Sequence, residues 1–244
     1  MNALWERPDF RRAAGDAWRP GGVALTGRAL DRCAASGWLP PGGLVLDLGS
    51  GAGATLRLLA GRGYRAVGLD KNAGAEPLAG VDAGNACCLV RADLARLPLA
   101  AASIDGALCE CVLSLLPDPI AALKAVHKAL QPGGVLVVSD LMLRQGYAFT
   151  ATGLGAGAVG SSCLAGARAE SAWRGFMEAA GFTVVHFEDN SRALVELAAR
   201  MVWYGEDTAG TGKSCACGGA APGAGWRAYG YGLWIAGQER RCIS

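Results

Sequence analysis

Only two histidines, His127 and His186, occur in the 244-residue chain. The first falls in a helical pattern and the second inside an apolar strand pattern, so both read as structural. That removes the most common carrier of general-base chemistry. Net charge is also scarce: lysine and arginine exceed aspartate and glutamate by only two. Nothing in that balance announces a nucleic-acid surface. No window holds the roughly 20 uninterrupted apolar residues of a membrane span. The polar first twelve residues lack the apolar core of a signal peptide. The expectations are a cytoplasmic protein, no nucleic-acid partner and no membrane partner. No internal repeat is found, and the length suits one domain with a full core, residues 1–244.

Cysteine, by contrast, is plentiful. Nine are present, an odd number that cannot all pair. Without a secretion signal, reduced thiols are expected. Clusters of them then read as metal, metalloid or catalytic sites before disulfides.

Along the chain, apolar strand-like runs alternate with helical spacing. An irregular arm, residues 1–22, precedes a helix at 26–36. Strands are expected at 44–48, 65–69, 88–91, 104–109, 135–139, 182–188 and 229–236. The run Ile120, Leu123, Val126 and Leu130 marks a helix. Another carries Trp173, Phe176, Met177 and Ala180, and a third Leu194, Leu197, Ala198, Met201 and Val202. Residues 141–168 break the rhythm and read as an irregular insertion over the site. Residues 206–225 read as a Cys/Gly-rich loop. The alternation predicts an α/β fold with a mainly parallel sheet buried on both faces. Ligands of such sheets bind beyond the carboxyl ends of the strands. Asp47, Asp70, Asp93 and Cys109 all fall at or just past such ends.

The first strand runs into Asp47-Leu48-Gly49-Ser50-Gly51-Ala52-Gly53. Glycines let backbone approach a ligand, and the following helix aims N–H groups at it. The third glycine comes one residue too early for the usual dinucleotide fingerprint. Asp70 ends the second strand, where a carboxylate can accept both ribose hydroxyls. Asp93 sits where it could accept an adenine amino group, and Asp47 where it could meet a cationic amino group.

This ensemble resembles the class I S-adenosylmethionine-dependent methyltransferases. The matching pieces are residues 45–53, Val67-Gly68-Leu69-Asp70, Ala92-Asp93-Leu94 and Leu130-Gln131-Pro132-Gly133-Gly134-Val135-Leu136. The resemblance implies a Rossmann-like seven-stranded, mainly parallel sheet with helices on both faces and the last strand antiparallel. It implies S-adenosyl-L-methionine as cofactor. Its expected contacts are Asp47, Gly49, Ser50, Gly51, Gly53, Asp70, Lys71, Asp93, Leu94 and Cys109. The turn at Trp18-Arg19-Pro20 is read either as closing over the cofactor or as a surface turn packed on the sheet.

Two cysteine segments resemble the arsenite methyltransferase branch. Cys111, in Cys111-Val112-Leu113-Ser114-Leu115, matches a cysteine after strand four. Cys163, in Cys163-Leu164-Ala165-Gly166-Ala167, matches a second in the insertion. That implies Cys111 and Cys163 as the catalytic pair holding a thiophilic acceptor, with Cys215 or Cys217 a further ligand. Thiolates suit soft centres. Trivalent arsenic held by thiolates keeps a lone pair, so its methylation needs no base. Glu110 and Arg168 depart from the branch's pattern, and its two N-terminal cysteines have no clear match. Two other readings stay open. One is a methyltransferase for a quinone, phenol or thiol. The other is a non-catalytic metal- or metalloid-binding protein; the cysteine spacings match no standard zinc or iron–sulfur set.

Overall fold

The structure is a computed structural model describing residues 8–73, 87–97, 99–146, 163–205 and 225–238. Its centre is β1 (Leu44–Leu48), flanked in parallel by β2 (Arg65–Asp70) and β4 (Ile104–Glu110). The chain leaves β1 on one side and later returns on the other. This opens a crevice above the carboxyl end of β1, where open α/β sheets bind ligands. The sheet order is β3-β2-β1-β4-β5-β8-β7, with β3 at Cys87–Arg91, β5 at Leu130–Leu143, β7 at Thr183–Asp189 and β8 at Tyr229–Gly237. All neighbours are parallel except β8, which runs antiparallel between β5 and β7. A two-residue β6, Arg168–Ala169, lies beside the end of β5. The expected seven-stranded architecture is thus observed, with this one short addition.

Successive residues of β1 point to opposite faces, as strand geometry requires. Val45 joins the core under α2 (Gly22–Ala35) and α3 (Ala54–Gly61). Leu46 and Leu48 join the opposite core. That second core lies under α4 (Pro119–Ala129) and α6 (Glu170–Ala179), the latter with Trp173 and Met177 at its centre. The Asp118 carboxylate caps α4 by accepting from the Ala121 N–H, and Pro119 opens the helix.

The structure corrects the expected elements in four places. From residue 8 onward the arm is built of α1 (Pro8–Ala14) and a 3-10 turn at Gly15–Ala17, which precede α2. Phe10, Ala13 and Ala14 of α1 pack on Leu197 of α7 (Ser191–Gly205), so the two helices form a cap beside the crevice. Helix α2 starts at Gly22 because Gly21, at φ 75°, completes the turn and the helix follows at once. Strand β5 does not stop at Asp140 but runs to Leu143. The Asp140 carboxylate is satisfied by N–H groups of Ser114 and Leu141 and by the Ser114 hydroxyl, so the strand can bury it and continue. Of the segment read as irregular, residues 141–143 are strand and Cys163–Gly166 is one helical turn, α5. Residues 147–162 and 206–224 lie outside the described residues, and with them Cys215 and Cys217. Among the described residues, no helix is long and apolar enough to cross a membrane.

Candidate active site

The glycine turn forms the floor of a cleft of about 890 Å³ beyond the strand ends. Gly49, Gly51 and Gly53 have φ of 70°, 51° and 77°, the left-handed region glycine occupies freely. Close approach adds to this at Gly49, where a Cβ would strike the Val112 side chain. Gly49 and Ser50 N–H groups donate to the Leu69 carbonyl at 2.7 and 3.2 Å, tying the turn to β2. The Gly51 N–H donates to Asp70 Oδ2 at 2.9 Å, and the Asn72 N–H to Oδ1 at 2.7 Å. Trp18 covers Gly51 from the cap side. Its own φ of 50° is unusual for a large residue, and the Arg11 guanidinium stacks over its ring, 4.2 Å from the centroid.

A largely buried polar network borders this floor. The Arg19 guanidinium meets Glu110 Oε2 at 2.8 Å and donates to the hydroxyls of Thr26 and Thr55. Those hydroxyls donate on to Glu110, at 2.7 and 2.9 Å. The ion pair thus ties the arm, α2, α3 and β4 together. Asp47 stands nearby with Oδ2 buried and unpartnered; the Ser50 hydroxyl and Arg19 Nε are likewise unpartnered. Burial pushes the Asp47 carboxyl well above the usual carboxylate range, Glu110 adds to the push, and Arg19 opposes it. An unfilled buried acceptor of this kind is where a bound ammonium group gains most.

Cys111 and Cys163 line the same cleft. Cys111 follows β4 at φ 57°, its N–H held by the Ser139 carbonyl at 2.7 Å. Its sulfur lies 3.1 Å from the Tyr231 hydroxyl, which donates to Ser139 Oγ at 3.0 Å. Burial raises the Cys111 thiol well above its ordinary range. Asp140 and then Cys163 push the same way, while Tyr231 and Arg19 pull down. Cys163 opens α5, and α5 is seated at Gly166, where any Cβ would strike the Ser114 carbonyl. Ser114 is in turn held by Asp140. Gly166→Ala should therefore push α5 away. Overpacking of this type costs about 1–3 kcal/mol. Urea denaturation should show that loss, and solvent accessibility of Cys163 to a thiol reagent should rise. An unchanged reaction rate at Cys163 would contradict the seating role.

Asp140 also gives the fold a pH signature. Burial pushes its carboxyl up to about 6, against the hydrogen bonds from Ser114 and Leu141. The unfolded carboxyl titrates near 4. Between these values the folded state binds more protons, so this contribution to stability falls as pH rises from about 4 to 6. The difference of about two pKa units corresponds to roughly 3 kcal/mol. Asp140→Asn should remove that fall, read as urea stability at pH 4 and 6.5. Equal slopes in wild type and variant would contradict it.

Residues 46–138 match the family described as a methyltransferase domain. Over those residues the chain carries a methyltransferase domain of the class I S-adenosylmethionine-dependent type. An arsenite methyltransferase of Aquipseudomonas alcaligenes is 37% identical over 113 residues, 40% of this chain and 32% of that protein. The chain thus spans about a third of the length of that relative. Among solved structures, a phosphoethanolamine N-methyltransferase of Haemonchus contortus with S-adenosyl-L-methionine superposes with a TM-score of 0.70 at 17% identity. It covers 95% of this chain and 56% of that one. An arsenic(III) S-adenosylmethionine methyltransferase of Chlamydomonas reinhardtii gives 0.55 at 19% identity, covering 83% and 65%.

The cofactor of this class is S-adenosylmethionine, and the cleft of the methyltransferase domain fits it. The glycine floor leaves room for backbone approach, and the unpartnered Asp47 oxygen awaits a donor. Of the residues expected to meet the cofactor, Asp47, Gly49, Ser50, Gly51, Asp70, Lys71, Asp93 and Leu94 line the cleft. Gly53 lies outside that lining and caps α3. Cys109 does not face the cleft. Its thiol packs in the opposite core with Leu48, Leu113 and Leu123, because it alternates with Glu110 on β4. His127 packs edge-on against Phe182 and His186 sits near Glu188, both away from the cleft. Among the described residues, no group of three or more His, Cys, Asp or Glu stands close enough to hold a metal ion.

Proposed function

We propose that this methyltransferase acts on a thiophilic acceptor held by Cys111 and Cys163, with arsenite the leading candidate. The observation that carries the reading is the convergence of these two cysteines on one cleft, although 52 positions separate them in the chain. The relative named arsenite methyltransferase supports it. When bound, S-adenosylmethionine supplies a methyl group on a positively charged sulfur. The chain's residues then have separate tasks. Asp70 would accept from the ribose hydroxyls, Asp93 and Leu94 would border the adenine, and Asp47 would accept from the amino group. Leu115, Leu116, Leu164 and Leu197 line the cleft and exclude water from the acceptor side.

The Cys111 thiol is held protonated, since burial raises it. Binding of arsenite exchanges each S–H proton and one arsenic hydroxyl for an S–As bond, releasing one water per thiol. The trivalent centre keeps its lone pair, so no histidine is required. This agrees with the distance of both histidines from the cleft. The test is to incubate the protein with methyl-labelled S-adenosylmethionine, a thiol and a panel of acceptors that includes arsenite. Labelled methylarsenic is the expected product. Its absence, from protein that binds the cofactor, would remove arsenite as acceptor.

A second reading has its own support. The leucines named above and Met201 offer an apolar wall suited to an organic acceptor such as a quinone, phenol or thiol. It predicts label transfer to such a compound that survives both Cys111→Ser and Cys163→Ser.

A further inference from the structure

We propose that Tyr231 is a positioning residue of the acceptor site: its buried hydroxyl, bonded to Ser139 of β5, holds the Cys111 sulfur towards the cleft. The assignment rests on the proposed acceptor pair and adds the paired strands β5 and β8 to it.

Cys111 is held at two points, and both lead to Ser139. Its N–H donates to the Ser139 carbonyl at 2.7 Å, which fixes the backbone at φ 57°. Few residues other than glycine take that conformation unless their surroundings impose it. Its sulfur lies 3.1 Å from the Tyr231 hydroxyl, and that hydroxyl donates to Ser139 Oγ at 3.0 Å. In the antiparallel pairing, Leu141 stands opposite Tyr231 and Ser139 opposite Leu233. Ser139 and Tyr231 are therefore diagonal neighbours on one face, within reach of a long side chain. Both are 0% exposed. The Tyr231 ring belongs to an apolar core with Leu141 and Leu233, where a phenylalanine would also pack. A hydroxyl in such a place costs free energy unless it is bonded. Tyr231 stands outside the cleft lining, so it acts through Cys111.

The two hydroxyls also suit the chemistry of the site. Each has one hydrogen to donate, accepts as well, and can rotate its hydrogen. With Tyr231 donating to Ser139, the Cys111 hydrogen is directed to the tyrosyl oxygen. Arsenite removes that hydrogen: an S–H and an As–O bond break, an S–As bond forms and water leaves. The hydroxyls then reverse, Ser139 donating to Tyr231 and Tyr231 to the arsenic-bound sulfur. Neither residue gains or loses a proton. The sulfur keeps its direction through the exchange, so its geometry is set before the acceptor arrives.

The test compares the wild type with Tyr231→Phe as full chains, with arsenite as the probe. Loss of the bond to the sulfur should weaken arsenite binding by about tenfold, the fold-change of one neutral hydrogen bond. Alkylation of Cys163 by iodoacetamide, read by peptide mass spectrometry, should be unchanged, because α5 is seated on Ser114 and not on Tyr231. Tyr231→Phe leaves Ser139 without its donor, so Tyr231→Phe combined with Ser139→Ala is the second variant. Removing both partners of a buried bond is nearly neutral for folding, and this protein should show the same loss of arsenite binding. Arsenite bound as tightly by the variants as by the wild type overturns the role of Tyr231 and leaves the acceptor reading in place. Weaker arsenite binding together with faster alkylation of Cys163 also overturns it, since the tyrosine would then hold the fold and not the sulfur. If the wild type binds no arsenite, the acceptor reading falls and this assignment falls with it.

Discussion

Glu110→Ala should lower the stability of the chain by about 3–5 kcal/mol, the cost of breaking a buried ion pair by removing one partner. The side chains of Arg19 and Glu110 are 7% and 4% exposed, so water cannot replace the lost carboxylate. The Arg19 charge would remain buried beside two threonine hydroxyls that have also lost their acceptor. At roughly 2–4 °C per kcal/mol for a chain of this size, the melting temperature should drop by about 10 °C. Glu110→Gln keeps one carbonyl oxygen in place and should cost less. The double change Arg19→Met with Glu110→Met removes both charges and should recover much of the loss, since apolar replacement of a buried pair is often neutral. A loss below about 1 kcal/mol in Glu110→Ala, the range of a solvent-exposed pair, would mean the network is open to water.

Cys111→Ser and Cys163→Ser should each weaken arsenite binding by about 100-fold or more. Two thiolates on one centre form a chelate, in which the second bond forms at the high effective concentration set by the first. Serine offers a hard oxygen to a soft centre, so it does not substitute. The change is small for the fold. At Cys111 the Tyr231 hydroxyl, 3.1 Å from the sulfur, can still hydrogen-bond a serine side chain. Binding of S-adenosylhomocysteine should therefore persist in both variants, and arsenite titration followed by thiol counting should separate them from the wild type. Unchanged arsenite affinity in either variant would turn the acceptor side towards the organic reading.

The cofactor half of the site was legible because its signals are local. A strand, three glycines and an acidic residue at the end of the next strand follow one another within about 25 residues, the span over which the dinucleotide-type motif is also read. The mainly parallel sheet followed from the alternation of strands and helices, and the antiparallel last strand from the resemblance. The polar network bordering the floor was not legible in this way. Thr26 and Glu110 are 84 positions apart and Arg19 and Thr55 36, and no periodicity links them. Asp140 was read as the end of its strand; three hydrogen bonds from Ser114 and Leu141 let the strand bury the carboxylate and continue. Gly166 entered only as part of the segment that carries Cys163; its seating of α5 against Ser114 was not legible there.

The two cysteines of β4 and its end show how period-two reading succeeds and fails. Cys109 and Glu110 must point to opposite faces of a strand, and they do: Cys109 enters the core and Glu110 the network. Continued alternation would put Cys111 on the Cys109 face. The left-handed backbone at Cys111, φ 57°, instead ends the strand and turns the thiol towards Tyr231 and the cleft. Only the resemblance to arsenite methyltransferases pointed to Cys111 in advance.

The central claim is methyl transfer to an acceptor held by Cys111 and Cys163. It is tested most directly by a single-turnover experiment with the protein in excess. Arsenite is bound first, methyl-labelled S-adenosylmethionine is added, and arsenic species are separated after quenching. Wild type should form labelled methylarsenic in a single phase, while Cys111→Ser, shown to bind S-adenosylhomocysteine normally, should form none. Equal yields from the two proteins, or no labelled arsenic from a wild type that binds both ligands, would contradict the account.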